Sequence, residues 1–120
     1  MKKIIKFYTT WCNPCKAIKP VYEELSQKYK NIVFEDYDAE ETQQLAESYN
    51  VKGVPLFIFL KGGEVVDRVE GANVSLLNQK VEKFNNLWDF DVNFLKLFLY
   101  YICKKLYKGV LEWVKKSIKF

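Results

Sequence analysis

Residues 7–20, FYTTWCNPCKAIKP, constrain this chain more than any other stretch, because a C-x-x-C pair sits where the hydrophobic period changes. Residues 3–8 (KIIKFY) read as a strand. Residues 13–29 place Ala17, Ile18, Val21, Tyr22 and Leu25 at helical spacing. Cys12 is then expected at a helix N-terminus, where unpaired backbone N–H groups and the helix dipole stabilise a thiolate. Cys15 lies one turn on, on the same face and within the span of a disulfide. Pro14 fits the first helical turn, where its missing N–H costs nothing. The expectation is an exposed, activated nucleophile at Cys12 and a partly buried resolving thiol at Cys15.

A C-x-x-C pair serves either as half a zinc site or as a redox couple. Structural zinc asks for four ligands, and this chain has no histidine and only one other cysteine, Cys103, 88 positions beyond Cys15. No metal site is therefore expected. The N-terminal MKKIIKFYTTWC has only a short, interrupted apolar run and does not read as an export signal. A reducing, cytoplasmic compartment follows as the expectation, and there a permanent structural disulfide is disfavoured. Redox chemistry is the stronger reading. With 120 residues, 49% of them hydrophobic, the chain is long enough for one domain with its own core.

WCNPCK, with Pro20 five residues past Cys15, resembles the active-site signature of the thioredoxin family, Asn13 standing where glycine is more usual. VKGVPLFIFLKGGEVVDRVEGAN, residues 51–73, resembles the second half of that fold. The match extends over roughly residues 2–87. The resemblance implies an α/β, thioredoxin-like fold: a four-stranded mixed sheet of order 2-1-3-4, the last strand antiparallel, with flanking helices. Strands are expected at 3–8, 32–38, 56–61 and 64–69, and helices at 13–29, 41–49 and 74–87. The resemblance further implies a cis Val54-Pro55 bond facing the cysteines. Trp11, Asn13, Pro14, Val54, Pro55, Gly71 and Ala72 would form the substrate-docking surface. It implies a thiol–disulfide oxidoreductase that reduces protein disulfides, needs no bound cofactor and is recharged by a thioredoxin-reductase-like flavoprotein. A more oxidising disulfide oxidase or isomerase, and an accessory binding module on the same fold, are the alternatives.

Three departures from the family pattern stand out. The strand and helix that usually precede the active-site strand are missing before Cys12, which leaves a sheet edge uncovered. Leu56 follows the proline where threonine is more usual. The buried acid six residues before the first cysteine is here Lys6, and its usual lysine partner is Asp36. The charges look exchanged, and a Lys6–Asp36 pair on adjacent strands beneath the disulfide is expected to act in catalysis. A cation near Cys15 favours its thiolate and makes the couple a weaker reductant. The alternative is a shifted register that leaves Lys6 reaching to solvent.

Residues 1–87 carry 12 basic and 12 acidic side chains, whereas residues 88–120 carry seven lysines and three acids, the whole surplus of +4. That shift marks a domain boundary: 1–87 the thioredoxin-like domain, 88–120 a basic amphipathic helical extension. Asp91 or Asn93 is expected to cap a helix from Phe94, which Gly109 breaks in two. Leu95, Leu99, Ile102, Leu106, Val110 and Trp113 form one stripe. Lys104, Lys105, Lys108, Lys115 and Lys119 lie opposite it. The extension either packs on its own domain, with Cys103 as a small buried apolar residue, or meets a membrane surface or a partner through 94–118. The first ten residues of that helix are too short to span a bilayer. No basic groove or recognition motif points to nucleic acid.

Overall fold

Period-two alternation in KKIIKFY decides the architecture, because it sends Ile4 and Lys6 to one face of the sheet and Ile5 and Phe7 to the other. The computed structural model describes residues 1–87 and 92–118; within the last helix, side chains are described from 96 to 109. The elements run β1 (Lys2–Tyr8), α1 (Asn13–Lys28), β2 (Ile32–Asp38), α2 (Gln43–Ser48), β3 (Leu56–Lys61), β4 (Glu64–Glu70), α3 (Val74–Asn85) and α4 (Val92–Ile118). Two compact units divide the chain, Met1–Leu87 and Trp88–Phe120.

The sheet order is β2-β1-β3-β4, as expected. β1 pairs in parallel with β2 and antiparallel with β3, and β3 pairs antiparallel with β4. The strand running against the others is therefore β3 rather than the last one. The glycine pair at 62–63, both at positive φ, turns the chain so tightly between β3 and β4 that they must run in opposite directions. β3 is buried along LFIFL, as a central strand covered on both faces must be. Phe57 and Phe59 meet Ile18, Tyr22 and Leu25 of α1 and Leu77, Val81 and Phe84 of α3. Leu56, Ile58 and Leu60 join Ile5, Phe7 and Ala46 on the α2 side. Ala17, expected on the buried face of α1, is exposed, because Cys15, Ile18, Tyr22 and Leu25 already fill that face.

The end of α3 is fastened by a residue that sequence reading passed over. Lys2, 4% exposed, donates from Nζ to the carbonyls of Asn85 at 2.8 Å and Leu87 at 2.6 Å. A cation on the last carbonyls of a helix satisfies acceptors that have no partner within it and complements its dipole.

α4 is continuous through Gly109, against the expected break: a helical glycine costs about 1 kcal/mol relative to alanine, which 27 residues of helix absorb. It begins at Val92, so Asn93 lies inside it. The expected cap Asp91 and the expected far-side Lys119 lie outside the described residues, as do the side chains of Leu95, Val110, Trp113 and Lys115. Cys103 is an exposed free thiol rather than a buried one, since every side chain described on this helix is exposed.

Replacing Lys2 by Met keeps the buried stem and removes both hydrogen bonds from the end of α3. With charged hydrogen bonds contributing about 1.5–3 kcal/mol, the melting temperature of Lys2→Met should fall by about 10 °C in calorimetry.

Candidate active site

β1 ends at Tyr8 in the middle of the sheet and α1 begins at Asn13, so the intervening turn carries Cys12 to the helix mouth. Cys12 is the N-cap, its backbone extended (φ −81°, ψ 110°). The Cys15 N–H points at Cys12 Sγ across 3.2 Å, and Lys16 N–H donates to the Cys12 carbonyl at 3.2 Å. Asn13 and Pro14 occupy the first turn, as the proline predicted. Cys12 and Cys15 are joined in a disulfide with Cα atoms 5.2 Å apart. In this oxidised state Cys12 is only 5% exposed, not the open nucleophile expected, because its sulfur is turned inward onto that of Cys15, itself 4% exposed.

Cys12 Sγ also lies 3.8 Å from the Val54 carbonyl oxygen, a contact that the reduced thiol can donate across. The Val54-Pro55 peptide is cis. Trp11, Asn13, Pro14 and Val54 line one open groove with Cys12, about 550 Å³ in volume. Pro55 is buried beside it, and its carbonyl accepts from Gly71 N–H at 2.9 Å; Ala72 follows, exposed. Trp11 is 67% exposed and its indole N–H donates to Glu40 Oε1 at 2.6 Å. Sequence reading had not singled out Glu40, 29 residues away on the loop after β2, and no local pattern marks it.

On the other side of the disulfide, Lys6 pairs with Asp36 across the parallel β1–β2 register, Nζ to Oδ1 3.7 Å. The register is the one that exchanged charges require. The two partners differ in setting: the Lys6 side chain is 4% exposed, the Asp36 side chain 46%. Burial pushes the Lys6 ammonium below its ordinary pKa, opposed by the charge and hydrogen bonding of Asp36. The Tyr22 ring sits 4.6 Å from Lys6 Nζ, a cation–π contact. The Tyr22 hydroxyl reaches the carbonyls of Ile4 at 3.0 Å and Glu35 at 2.9 Å, and burial holds its pKa well above the usual phenol.

A cavity of about 250 Å³ joins these groups to the chemistry, with Cys15, Lys6, Lys16, Lys19 and Asp36 in its wall. Three lysines and one carboxylate thus line the cavity that Cys15 opens onto. Thr9 lines this cavity and the groove at Trp11 alike, and its Oγ1 is buried without a hydrogen-bond partner among the described residues.

The Thioredoxin family model matches residues 1–83. Thioredoxin-1 of Caenorhabditis elegans is 46% identical over 78 residues, covering 65% of this chain and 68% of the relative. The thioredoxin of Equus caballus is 42% identical over 79 residues, covering 66% and 75%. Among solved structures, thioredoxin NaTrxh of Nicotiana alata superposes with a TM-score of 0.68 at 36% identity, over 69% of this chain and 72% of that one. The Plasmodium falciparum thioredoxin gives 0.67 at 41%, over 68% and 80%. The matched region, with its disulfide-bonded pair at the mouth of α1, makes this chain a member of the thioredoxin family and a thiol–disulfide oxidoreductase.

Proposed function

We propose that the chain reduces protein disulfides, with Cys12 as the attacking sulfur and Cys15 as the resolving one. The observation that carries this reading is the Cys12–Cys15 disulfide at the N-cap of α1, opening onto an apolar groove. Cys12 thiolate attacks one sulfur of a bound disulfide, that S–S bond breaks, and the departing thiolate takes a proton from solvent. Cys15 then loses its proton to solvent and attacks Cys12 Sγ. The mixed disulfide breaks, the second substrate thiol leaves, and two electrons have passed from the dithiol to the substrate. Trp11, Asn13, Pro14, Val54, Pro55, Gly71 and Ala72 hold an extended segment of the substrate, with the Val54 backbone beside the reacting sulfur. A thioredoxin-reductase-like flavoprotein returns the pair to the dithiol, and a compartment kept reducing, the cytoplasm, suits that cycle.

Lys6 acts on Cys15 as a positioning charge, with Asp36 holding it in place. The cation favours the Cys15 thiolate and shifts the pair toward a weaker reductant than family members with an acid at this position. Lys16 and Lys19 on the same cavity wall act in the same direction.

In an insulin reduction assay Cys12→Ser should be inactive, while Cys15→Ser should accumulate mixed disulfides whose partners mass spectrometry identifies. Iodoacetamide should alkylate one sulfur of the reduced protein, Cys12, faster at pH 7 than an ordinary thiol. An ordinary rate would remove the activated-thiolate reading.

Lys6→Met separates a charge effect from a packing effect. If the Cys15 pKa rises by about one unit, thiolate falls tenfold while nucleophilicity recovers about threefold, so resolution at pH 7 slows about threefold. Its pH midpoint moves up. An unchanged profile removes Lys6 from the mechanism. The depressed Lys6 pKa also predicts a stability trend. Between its folded value and the ordinary 10.5 the unfolded chain binds more protons, so stability rises with pH across that alkaline window. Lys6→Met should lose that rise in urea titrations.

A further inference from the structure

The redox chemistry leaves α4 unused, and its composition is unlike the rest of the chain. Its 27 residues hold six lysines and one glutamate, whereas residues 1–87 are balanced in charge. Every side chain described on it, from 96 to 109, is exposed. Leu97, Leu99, Tyr101, Ile102, Leu106 and Tyr107 lie between 38% and 65% exposed. Leu99, Ile102 and Leu106 recur at intervals of three and four and share one face. At helical spacing Lys96 and Lys105, the latter expected opposite the stripe, fall on the two borders of that face, while Lys104 and Lys108 fall behind it together with Leu97 and Tyr101. Among the described residues no helix is long and apolar enough to cross a membrane.

We infer that α4 lies in the interface of a bilayer bearing anionic headgroups and holds the oxidoreductase domain at that surface. Leu99, Ile102 and Leu106 enter the boundary between headgroups and acyl chains. The lysine stems run along apolar surface and bring their ammonium groups to the phosphates and carboxylates of the lipid. Charge complementarity selects this occupant. A second copy would bring together two helices that each carry a surplus of five positive charges, whereas an anionic surface offers the opposite sign along the whole helix. A helix of this length, about 40 Å, lies flat across several headgroups.

The test is sedimentation of the full chain with large vesicles of phosphatidylcholine, alone or with about one-third phosphatidylserine. The chain should partition onto the anionic vesicles at least tenfold more strongly than onto the neutral ones. Each lysine close to an anionic surface contributes about fivefold, so Lys96→Gln combined with Lys105→Gln should weaken partitioning about twenty-five-fold. Leu99→Ser with Leu106→Ser should abolish it. Both variants should reduce insulin at the unaltered rate, since the Cys12–Cys15 pair is untouched, and this readout keeps the inference separate from the proposed reductase. Absence of partitioning, or equal partitioning onto both vesicles, overturns the inference. So does a concentration-dependent dimer in light scattering with no vesicle binding. The glutamine variant keeps every apolar residue, so a loss of binding in it reads charge and not folding.

Discussion

The Cys15 N–H reaches Cys12 Sγ across 3.2 Å only because β1 delivers the chain to the mouth of α1 with Cys12 still extended. At a helix N-terminus the first backbone donors have no partner within the helix, and a sulfur placed there takes the role of a capping oxygen. Such a cap favours an ionised sulfur in general, and the role proposed for Cys12 rests on that. The buried strands β1 and β3 fix the direction of α1 through Ile18, Tyr22 and Leu25, and thereby hold the cap in place. Sheet, helix and chemistry are linked through this junction.

Strand parity explains what lies on each side of the sulfur pair. Lys2, Ile4 and Lys6 alternate onto the face covered by α1 and α3, and their three positions do different work. Lys2 closes the end of α3, Ile4 enters the core, and Lys6 lines the same cavity as Cys15. A one-residue slip between β1 and β2 would place Asp36 on the opposite face from Lys6 and leave a dehydrated cation without its acid. The register is thus pinned by electrostatics as well as by apolar burial.

Much of this was legible in the sequence, and the reasons are specific. The strands at 32–38 and 56–61 have the bounds that the family resemblance implies, and the β-branched and aromatic residues they carry suit that structure. The cysteine pair announced itself through the change of period around it. What escaped reading depends on contacts between distant positions. Lys2 looks like any N-terminal lysine until α3 ends beside it, and Glu40 is a loop acid until the Trp11 indole meets it. The burial of Cys12 is a property of the oxidised pair rather than of the spacing. On α4, a glycine in a strongly helical stretch was read as a break, whereas its neighbours' propensity carries the helix through.

The Lys6–Asp36 pair is formally neutral, yet the role proposed for Lys6 needs a net field at Cys15. That field depends on which strand carries which charge. Lys6 is on β1, an inner strand, and is almost wholly dehydrated; Asp36 is on β2, an edge strand, and nearly half of its side chain meets water. Solvent screens the carboxylate far more than the ammonium, so the two charges do not cancel at the sulfur. With the acid on the inner strand and the lysine at the edge, the dehydrated charge would be the one that opposes a thiolate. The order found here dehydrates the charge that favours it, and the Tyr22 ring offsets part of the cost of doing so. In the proposed role of Lys6, the sign of the field at Cys15 therefore follows from the sheet order and not from the identity of the pair alone.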